Sequence, residues 1–239
     1  MDGLRALLSE NAAVAQALGG LVIGAFFGFV VQRTNFCTMG SISDMLTFGD
    51  GRRFRAWLLA SAVAIVGAQA LAAGGLVDLT KSMYLSATLD WAGAIIGGLL
   101  FGFGMVFAGG CASRNLVRAG SGDLRSLFVV ILIGIAGYAA IGGLIGPLRA
   151  SLASATSLHL DAWNISNQSV GALLAHVTGL APRSAETIAA GALVLAIIAY
   201  CFSDAAFRTS PMHVASGLLV GVAVVAGWAL TGLAVDEMA

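Results

Sequence analysis

The sequence predicts an all-α integral membrane protein with about six transmembrane helices, two of which are broken near a cysteine. The chain of 239 residues is 59% hydrophobic and 10% charged, with a mean hydropathy of +0.93, which excludes an ordinary soluble domain. Several apolar stretches reach the roughly 20 residues that cross a bilayer. Two Gly-rich stretches, 28–40 (GFVVQRTNFCTMG) and 102–114 (GFGMVFAGGCASR), each lead into a lone cysteine.

Six apolar runs account for most of the chain, which we expect to form a single transmembrane domain over 1–239. They are predicted near 18–36, 55–77, 91–109, 126–148, 186–203 and 212–233. The first is interpreted as a helix of the mature protein, because Asp2 and Glu10 are not typical of a secretion signal's basic start. A net charge of zero provides no basic surface, so nucleic acid is not an expected partner.

Arginine clusters orient the predicted spans. The basic residues that precede the second, fourth and sixth spans are Arg52, Arg53, Arg55, Arg114, Arg118, Arg125 and Arg208. The positive-inside rule places these loops in the cytoplasm, and it places Lys81 and both chain ends, including Asp236, on the outer side. The expected location is a bacterial inner membrane.

An internal repeat relates the two cysteine segments. A shift of 74 residues places Gly24 on Gly98 and Cys37 on Cys111. The same shift aligns "FGF" at 27–29 with "FGF" at 101–103. Two repeat units are therefore predicted, about 18–77 and 91–148, each a broken helix followed by a plain helix. Broken helices at matching repeat positions are where transporters place their binding sites.

Each cysteine segment is expected to contain a helix break. The run 18–48 would span about 46 Å as one helix, against roughly 30 Å of hydrocarbon. We predict a break near Thr34–Thr38, where Asn and Thr side chains cap a new helix, and another at Ala108–Ser113. Unwound backbone at this depth is tolerated only around a protein-buried cavity or pore. Cys37 and Cys111 are therefore predicted at two half-helix N-termini that face one cavity and attract anions.

Cys37 and Cys111 are the predicted translocation residues, and simple packing is the alternative that stays open for both. Packing is the preferred interpretation of Cys201, which ends a plain apolar helix. Further candidate pore-lining residues are Arg33, Asn35, Thr38, Ser113, Arg114 and Asn115. In a regular helix Arg33 would lie one turn before Cys37 and near the cavity, and snorkelling to the interface is an equal alternative.

Three function classes remain open at this point. They are an anion transporter, a membrane thiol oxidoreductase or sulfurtransferase, and a general small-anion channel in which the cysteines are incidental. Among histidines and carboxylates, only Asp44 is near either cysteine in sequence, so we expect no enzymatic activity and no catalytic residue. The cysteines and histidines show no zinc-ligand spacing, and no ATP-binding loop is found, so neither metal nor cofactor is expected.

Three stretches carry a family resemblance: GLVIGAFFGFVVQRTNFCTMGSISDM, GGLLFGFGMVFAGGCASRNLVRAGSGDLRSL and CFSDAAFRTSPMHVASGLLVGVAVVAGWALTG. They resemble the YeeE/YedE family of bacterial sulfur-compound transporters. The resemblance implies an hourglass-shaped inner-membrane protein in which thiosulfate passes along pore cysteines by thiol hydrogen bonds, without covalent chemistry. Cys37 and Cys111 match the first two relay cysteines of that pattern.

The chain departs from the family pattern after the Gly-Trp-x-x-Thr-Gly segment at 227–232. Longer members continue there into a part that supplies a third relay cysteine, a position that Cys201 does not match. A truncated chain, self-association of a half-size protein, and a partner subunit are the three explanations. The first and the last are favoured, because a half-pore alone would expose polar backbone to lipid.

The connector at 149–185 is the least apolar part of the chain. Its stretch SVGALLAHVTGLAP is amphipathic enough for an interfacial helix on the outer side. A plain surface helix is favoured there over a vestibule.

Overall fold

The computed structural model describes residues 12–79, 82 and 85–233, and most of them are helical. The helices are α1 (Ala12–Thr34), α2 (Thr38–Phe48), α3 (Arg52–Ala73), α4 (Trp91–Phe107), α5 (Ala112–Gly120), α6 (Leu124–Ile141), α7 (Gly146–Thr156), α8 (Val170–Thr178), α9 (Pro182–Ser203), α10 (Ala205–Arg208) and α11 (Pro211–Leu233). Four residues used in the sequence analysis lie outside the described ranges. They are Asp2 and Glu10, used to interpret the first helix, and Lys81 and Asp236, used in the predicted membrane orientation.

Six helical segments are long and apolar enough to cross a membrane, which confirms the predicted all-α polytopic membrane fold. They are Ala12–Phe48, Arg52–Ala73, Trp91–Gly120, Leu124–Ile141, Pro182–Ser203 and Pro211–Gly232. Two of these segments contain the breaks before α2 and α5. Large apolar side chains such as Leu99 and Leu195 are exposed on them, as lipid-facing positions require.

The fourth span ends earlier than the predicted run 126–148. Helix α6 stops at Ile141, and the short helix α7 begins at Gly146. Gly143 folds back on α6 so closely that a Cβ at this position would lie 2.7 Å from the Ala139 Cα. The apolar run is therefore continuous in sequence, whereas the helix is interrupted by a turn that only glycine fits.

The chain divides into two compact units, which are described separately. Unit 1 contains the described residues of Met1–Phe36, Asp44–Ser82 and Thr187–Ala239. Unit 2 contains those of Cys37–Ser43 and Met83–Glu186. The short segment with Cys37 therefore belongs to the same unit as Cys111, although its flanking residues belong to the other.

In unit 1, helix α11 packs against α3 and α1. Glycines allow the close approach of α3 and α11: a Cβ on Gly221 would lie 2.6 Å from Val63 Cβ, and one on Gly217 would lie 2.7 Å from the Ala56 carbonyl oxygen. Small residues at a helix contact are typical of membrane proteins, where van der Waals packing drives helix association.

In unit 2, helix α5 packs against α6, and α4 packs against α7. A short antiparallel ribbon, β1 (Thr88–Leu89) with β2 (Leu158–His159), precedes a 3-10 helix at Leu160–Trp163. The sequence analysis did not predict this ribbon. In the connector, α8 begins after Ser169, whose hydroxyl accepts the Ala172 N–H at 3.0 Å as an N-cap.

Candidate functional site

The first break separates α1 from α2 by three residues. Helix α1 ends at Thr34, and Asn35 adopts a left-handed φ of 53°, which turns the chain. Asparagine is among the few non-glycine residues that tolerate this conformation. Helix α2 begins at Thr38, and the Cys37 carbonyl accepts the Ser41 N–H at 2.9 Å. Cys37, rather than an Asn or Thr as expected, thus occupies the position directly before the helix.

The second break uses glycines. Helix α4 ends at Phe107, and Gly109 and Gly110 have φ values of 66° and 156°. Both values favour glycine, because a Cβ is strained in this region. Cys111 is the N-cap of α5, and its carbonyl accepts the Asn115 N–H at 3.0 Å. The two cysteines therefore occupy the same position relative to their half-helices.

The two thiols meet inside unit 2. The Sγ atoms of Cys37 and Cys111 are 3.8 Å apart, and the residues are 7% and 6% exposed. The Ser113 hydroxyl lies 3.2 Å from the Cys111 sulfur. Gly40 and Arg114, each three residues after its cysteine, lie in the first turns of α2 and α5, where backbone N–H groups lack helical partners. The pair is thus surrounded by hydrogen-bond donors at two half-helix N-termini.

Asn115 is buried, and it holds the second break together. Its side chain is 1% exposed, and its amide nitrogen lies 3.1 Å from the Gly110 carbonyl oxygen and 3.3 Å from those of Ala108 and Cys111. The Ala108 and Gly110 carbonyls lie beyond the end of α4, whereas the Cys111 carbonyl also accepts the Asn115 N–H as the first bond of α5. The donor groups of Asn115 are therefore directed at the backbone of its own segment.

The other predicted pore-lining residues lie at different places. Arg33 is exposed in the last turn of α1, and the break after Thr34 interrupts the regular helical spacing on which its predicted approach to Cys37 depended. Asn35 and Ser113 are also exposed, whereas Thr38 and Arg114 are half-buried. Of these, Ser113 contacts a cysteine, because its hydroxyl lies 3.2 Å from the Cys111 sulfur.

Cys201 occupies a different environment. Its thiol donates to the Arg55 carbonyl oxygen at 3.2 Å, and its fully buried side chain packs in a cluster with Ala56, Leu59 and Phe207 in unit 1. All three cysteines are free thiols. Within the described ranges no group of three or more His, Cys, Asp or Glu residues is arranged to hold a metal.

Arg53 contacts the residues on either side of the Cys37 segment, which the sequence analysis did not predict. Its guanidinium donates to the Asn35 carbonyl oxygen at 2.6 Å and pairs with Asp44 at 2.7 Å. Neighbouring Arg52 instead bonds Asp50 at 2.6 Å, and this hydrogen bond lowers the pKa of the Asp50 carboxyl to about 2. In sequence both arginines indicate only membrane orientation, because the contact between Arg53 and Asn35 depends on tertiary folding.

Comparison with known proteins identifies similar sequences. A family model described as sulphur transport matches residues 33–238. Thiosulfate transporter TsuA of Escherichia coli K12 is 43% identical over 109 residues, which cover 46% of this chain and 30% of that protein. Thiosulfate transporter TsuA of Spirochaeta thermophila is 35% identical over 124 residues, which cover 52% of this chain and 36% of that protein. The matched stretch thus spans about a third of the length of each relative.

Proposed function

We propose that this chain, which belongs to the sulphur-transport family, carries a small sulfur-containing anion across a bacterial inner membrane along a path that passes Cys37 and Cys111. Thiosulfate is the first candidate substrate, because it is named in two relatives. The membrane fold with six apolar helices is the setting that such transport needs.

The observation that carries the proposal is the contact between the two thiols. Cys37 and Cys111 are 74 residues apart in sequence, yet their sulfurs are 3.8 Å apart. Each directly precedes a half-helix that starts at a break in a membrane segment. Irregular backbone at membrane depth supports a role in a ligand path, because packing alone does not require it.

The chemistry around the thiols suits thiosulfate. A divalent anion in a low-dielectric site needs oriented donors, and each half-helix N-terminus provides backbone amides and about half a positive charge. The Ser113 hydroxyl beside Cys111 adds a further donor for oxygen. Thiols are weak donors, which match the soft terminal sulfur of thiosulfate. Successive weak contacts along the path favour conduction, because a tight site would retain the ion.

The proposed path requires a movement of the two thiols. At 3.8 Å the two sulfurs touch, so no anion fits between them in this arrangement. Both residues are more than nine-tenths buried. We infer that the sulfurs separate when the anion passes and that the thiol contact closes the path between transport events.

Uptake of sulfane-labelled thiosulfate tests the proposal in cells that lack other importers of sulfur anions. We expect Cys37→Ala and Cys111→Ala each to lower uptake at least about tenfold, the effect of about 1.4 kcal/mol of lost interaction. Cys201→Ala is the matched control, because it removes a buried thiol that packs elsewhere in the fold. Its uptake, corrected for membrane level, should remain near wild type. No uptake by the wild-type chain, or wild-type uptake by both alanine variants, would contradict the proposal.

Two thiols in contact are also what a dithiol oxidoreductase needs, so this second function requires its own test. An oxidoreductase would form a disulfide or persulfide on Cys37 or Cys111 during turnover. We expect mass spectrometry of protein trapped during thiosulfate uptake to show both cysteines unmodified. A persulfide that appears and disappears at the uptake rate would favour the enzyme.

A further inference from the structure

Arg53 connects the two chain segments that flank Cys37. It lies in the first turn of α3, outside the cysteine segment. One terminal nitrogen donates to the Asn35 carbonyl at 2.6 Å, and the other pairs with Asp44 at 2.7 Å. Asn35 lies two residues before Cys37, and Asp44 lies in α2, which begins directly after it. A single side chain therefore closes a loop around the cysteine segment.

The chemistry of this contact limits how the loop can move. A guanidinium is planar, and its donors have fixed directions, so two simultaneous bonds fix the position of both partners. The Arg53 and Asp44 side chains are only 24% and 26% exposed, so the pair is partly shielded from solvent. Asn35 is the residue whose left-handed backbone makes the turn. Arg53 thus holds the turn itself as well as the helix that follows.

The neighbouring arginines of α3 show that this contact is specific. Arg52 bonds Asp50, two residues away, and its side chain is 42% exposed, so the pair constrains only the local turn. Arg55 reaches the end of α9, where it donates to the Tyr200 carbonyl and lies 4.5 Å from the centre of the Tyr200 ring. Among the three arginines in this turn, Arg53 contacts the residues that flank Cys37, whereas Arg52 and Arg55 contact Asp50 and Tyr200.

We propose that Arg53 is a positioning residue that keeps the Cys37 thiol in register with Cys111 through its two bonds to Asn35 and Asp44. The proposal rests on the function proposed above and concerns the chain segments on either side of Cys37. We call these two bonds of Arg53 the clamp. Without the clamp, the segment between Asn35 and Asp44 is held less firmly, and the two thiols meet less often. The loss of thiol contact would then lower the transport rate without removing either cysteine.

Disulfide formation measures this register directly in the full chain in native membranes. Copper–phenanthroline with oxygen removes two electrons and two protons from the thiol pair, and the sulfurs close from 3.8 Å to the bonded distance of about 2.05 Å. We expect Arg53→Gln to slow formation of the Cys37–Cys111 disulfide about tenfold, because a misplacement on the order of 1 Å has a large effect on rate. Peptide mapping separates this disulfide from any product of Cys201.

Matched variants distinguish positioning from general destabilisation. Arg52→Gln removes an ion pair from the same turn and should leave the cross-linking rate within about twofold of wild type. Arg53→Lys keeps one bond and Asp44→Asn keeps the bond to Asn35, so both should give intermediate rates. Rates are compared only for protein that elutes as a single folded species. A wild-type cross-linking rate in Arg53→Gln, or in both Arg53→Lys and Asp44→Asn if Arg53→Gln does not fold, would overturn the proposal.

The cross-linking readout is independent of transport. If Cys37→Ala and Cys111→Ala both transport normally and Arg53→Gln still cross-links slowly, the proposed function fails and the clamp remains a structural feature. If both alanine variants lose uptake and Arg53→Gln cross-links at the wild-type rate, the proposed function stands and the positioning role is wrong.

Discussion

The two cysteine-bearing breaks bring equivalent residues together by different means. At the first break, Asn35 turns the chain, and its carbonyl is held by Arg53 from the next long helix. At the second, Gly109 and Gly110 turn the chain. The side-chain amide of Asn115, which lies in the same segment, donates a hydrogen bond to a carbonyl at the break. The first break therefore depends on a tertiary contact, whereas the second is complete within eight residues.

This difference shows which features of a repeat need to match. Both copies place a cysteine directly before a half-helix, and both have FGF ten residues before that cysteine. The residues that stabilise the turn differ completely. The position of the sulfur is common to both copies, and any local chemistry that satisfies the broken backbone can support it.

Loss of the Asn115 amide should lower the free energy of unfolding more than the other predicted changes, because Asn115 is the donor that stabilises the second break. Asn115→Leu keeps the branching at Cγ but leaves the partly buried Ala108 carbonyl and the buried Gly110 carbonyl without this donor. We expect a loss of about 2–3 kcal/mol, at the upper end for a buried unsatisfied group. In detergent the midpoint of thermal unfolding should fall by on the order of 5–10 °C.

Thr34→Val is the control for Asn115→Leu at the first break. The Thr34 hydroxyl donates to the Val30 carbonyl at 2.8 Å, a bond back into its own helix that adds little stability. We expect a change of less than about 0.5 kcal/mol. Equal losses in the two variants would show that the second break is no more dependent on its own side chains than the first.

The sequence was sufficient to locate both breaks, but it did not identify what stabilises them. Lone cysteines after Gly-rich apolar runs mark positions where a helix too long for the bilayer must stop. Asn115 was predicted as a pore-lining residue because its side-chain amide is a hydrogen-bond donor at a half-helix end. Its actual partners are carbonyls that become available only where α4 ends. The role of Arg53 depends on a contact across 18 residues, which periodicity does not encode.

The short β-ribbon and the end of α6 are two further features that the sequence pattern did not predict. Two-residue strands that pair Thr88 with His159 are too short to produce an alternating pattern. The helix end before Gly142 was visible only as two glycines inside an apolar run, and glycine is common within membrane helices. Hydropathy therefore predicted the number of membrane spans, whereas helix ends and local turns depended on packing that hydropathy does not report.

A side chain at Gly110 should cause the next largest loss of stability. At a φ of 156° a Cβ is strained, and it would also lie 3.2 Å from Arg114 Cγ. Gly110→Ala should cost about 2 kcal/mol and slow formation of the Cys37–Cys111 disulfide, because the strained residue directly precedes Cys111. Gly104→Ala in α4 is the matched control. Its Cβ would meet nothing within 4 Å, so it should be neutral or slightly stabilising. Equal cross-linking rates in the two variants would contradict this prediction.

The smallest effect is expected from exchanging the left-handed residues of the two breaks. Asn35 and Gly109 have φ values of 53° and 66°, and a Cβ at Gly109 would meet nothing within 4 Å. Both residue types tolerate this conformation, so Asn35→Gly and Gly109→Asn should each change stability by less than about 1 kcal/mol. Arg53 binds the backbone carbonyl of residue 35, so its bond survives Asn35→Gly. Cross-linking and thermal unfolding in detergent should therefore both stay near wild type. A large loss in Asn35→Gly alone would mean that the Asn35 side chain, and not its backbone conformation, holds the first break, and the contrast between the two breaks would then lie in their side chains.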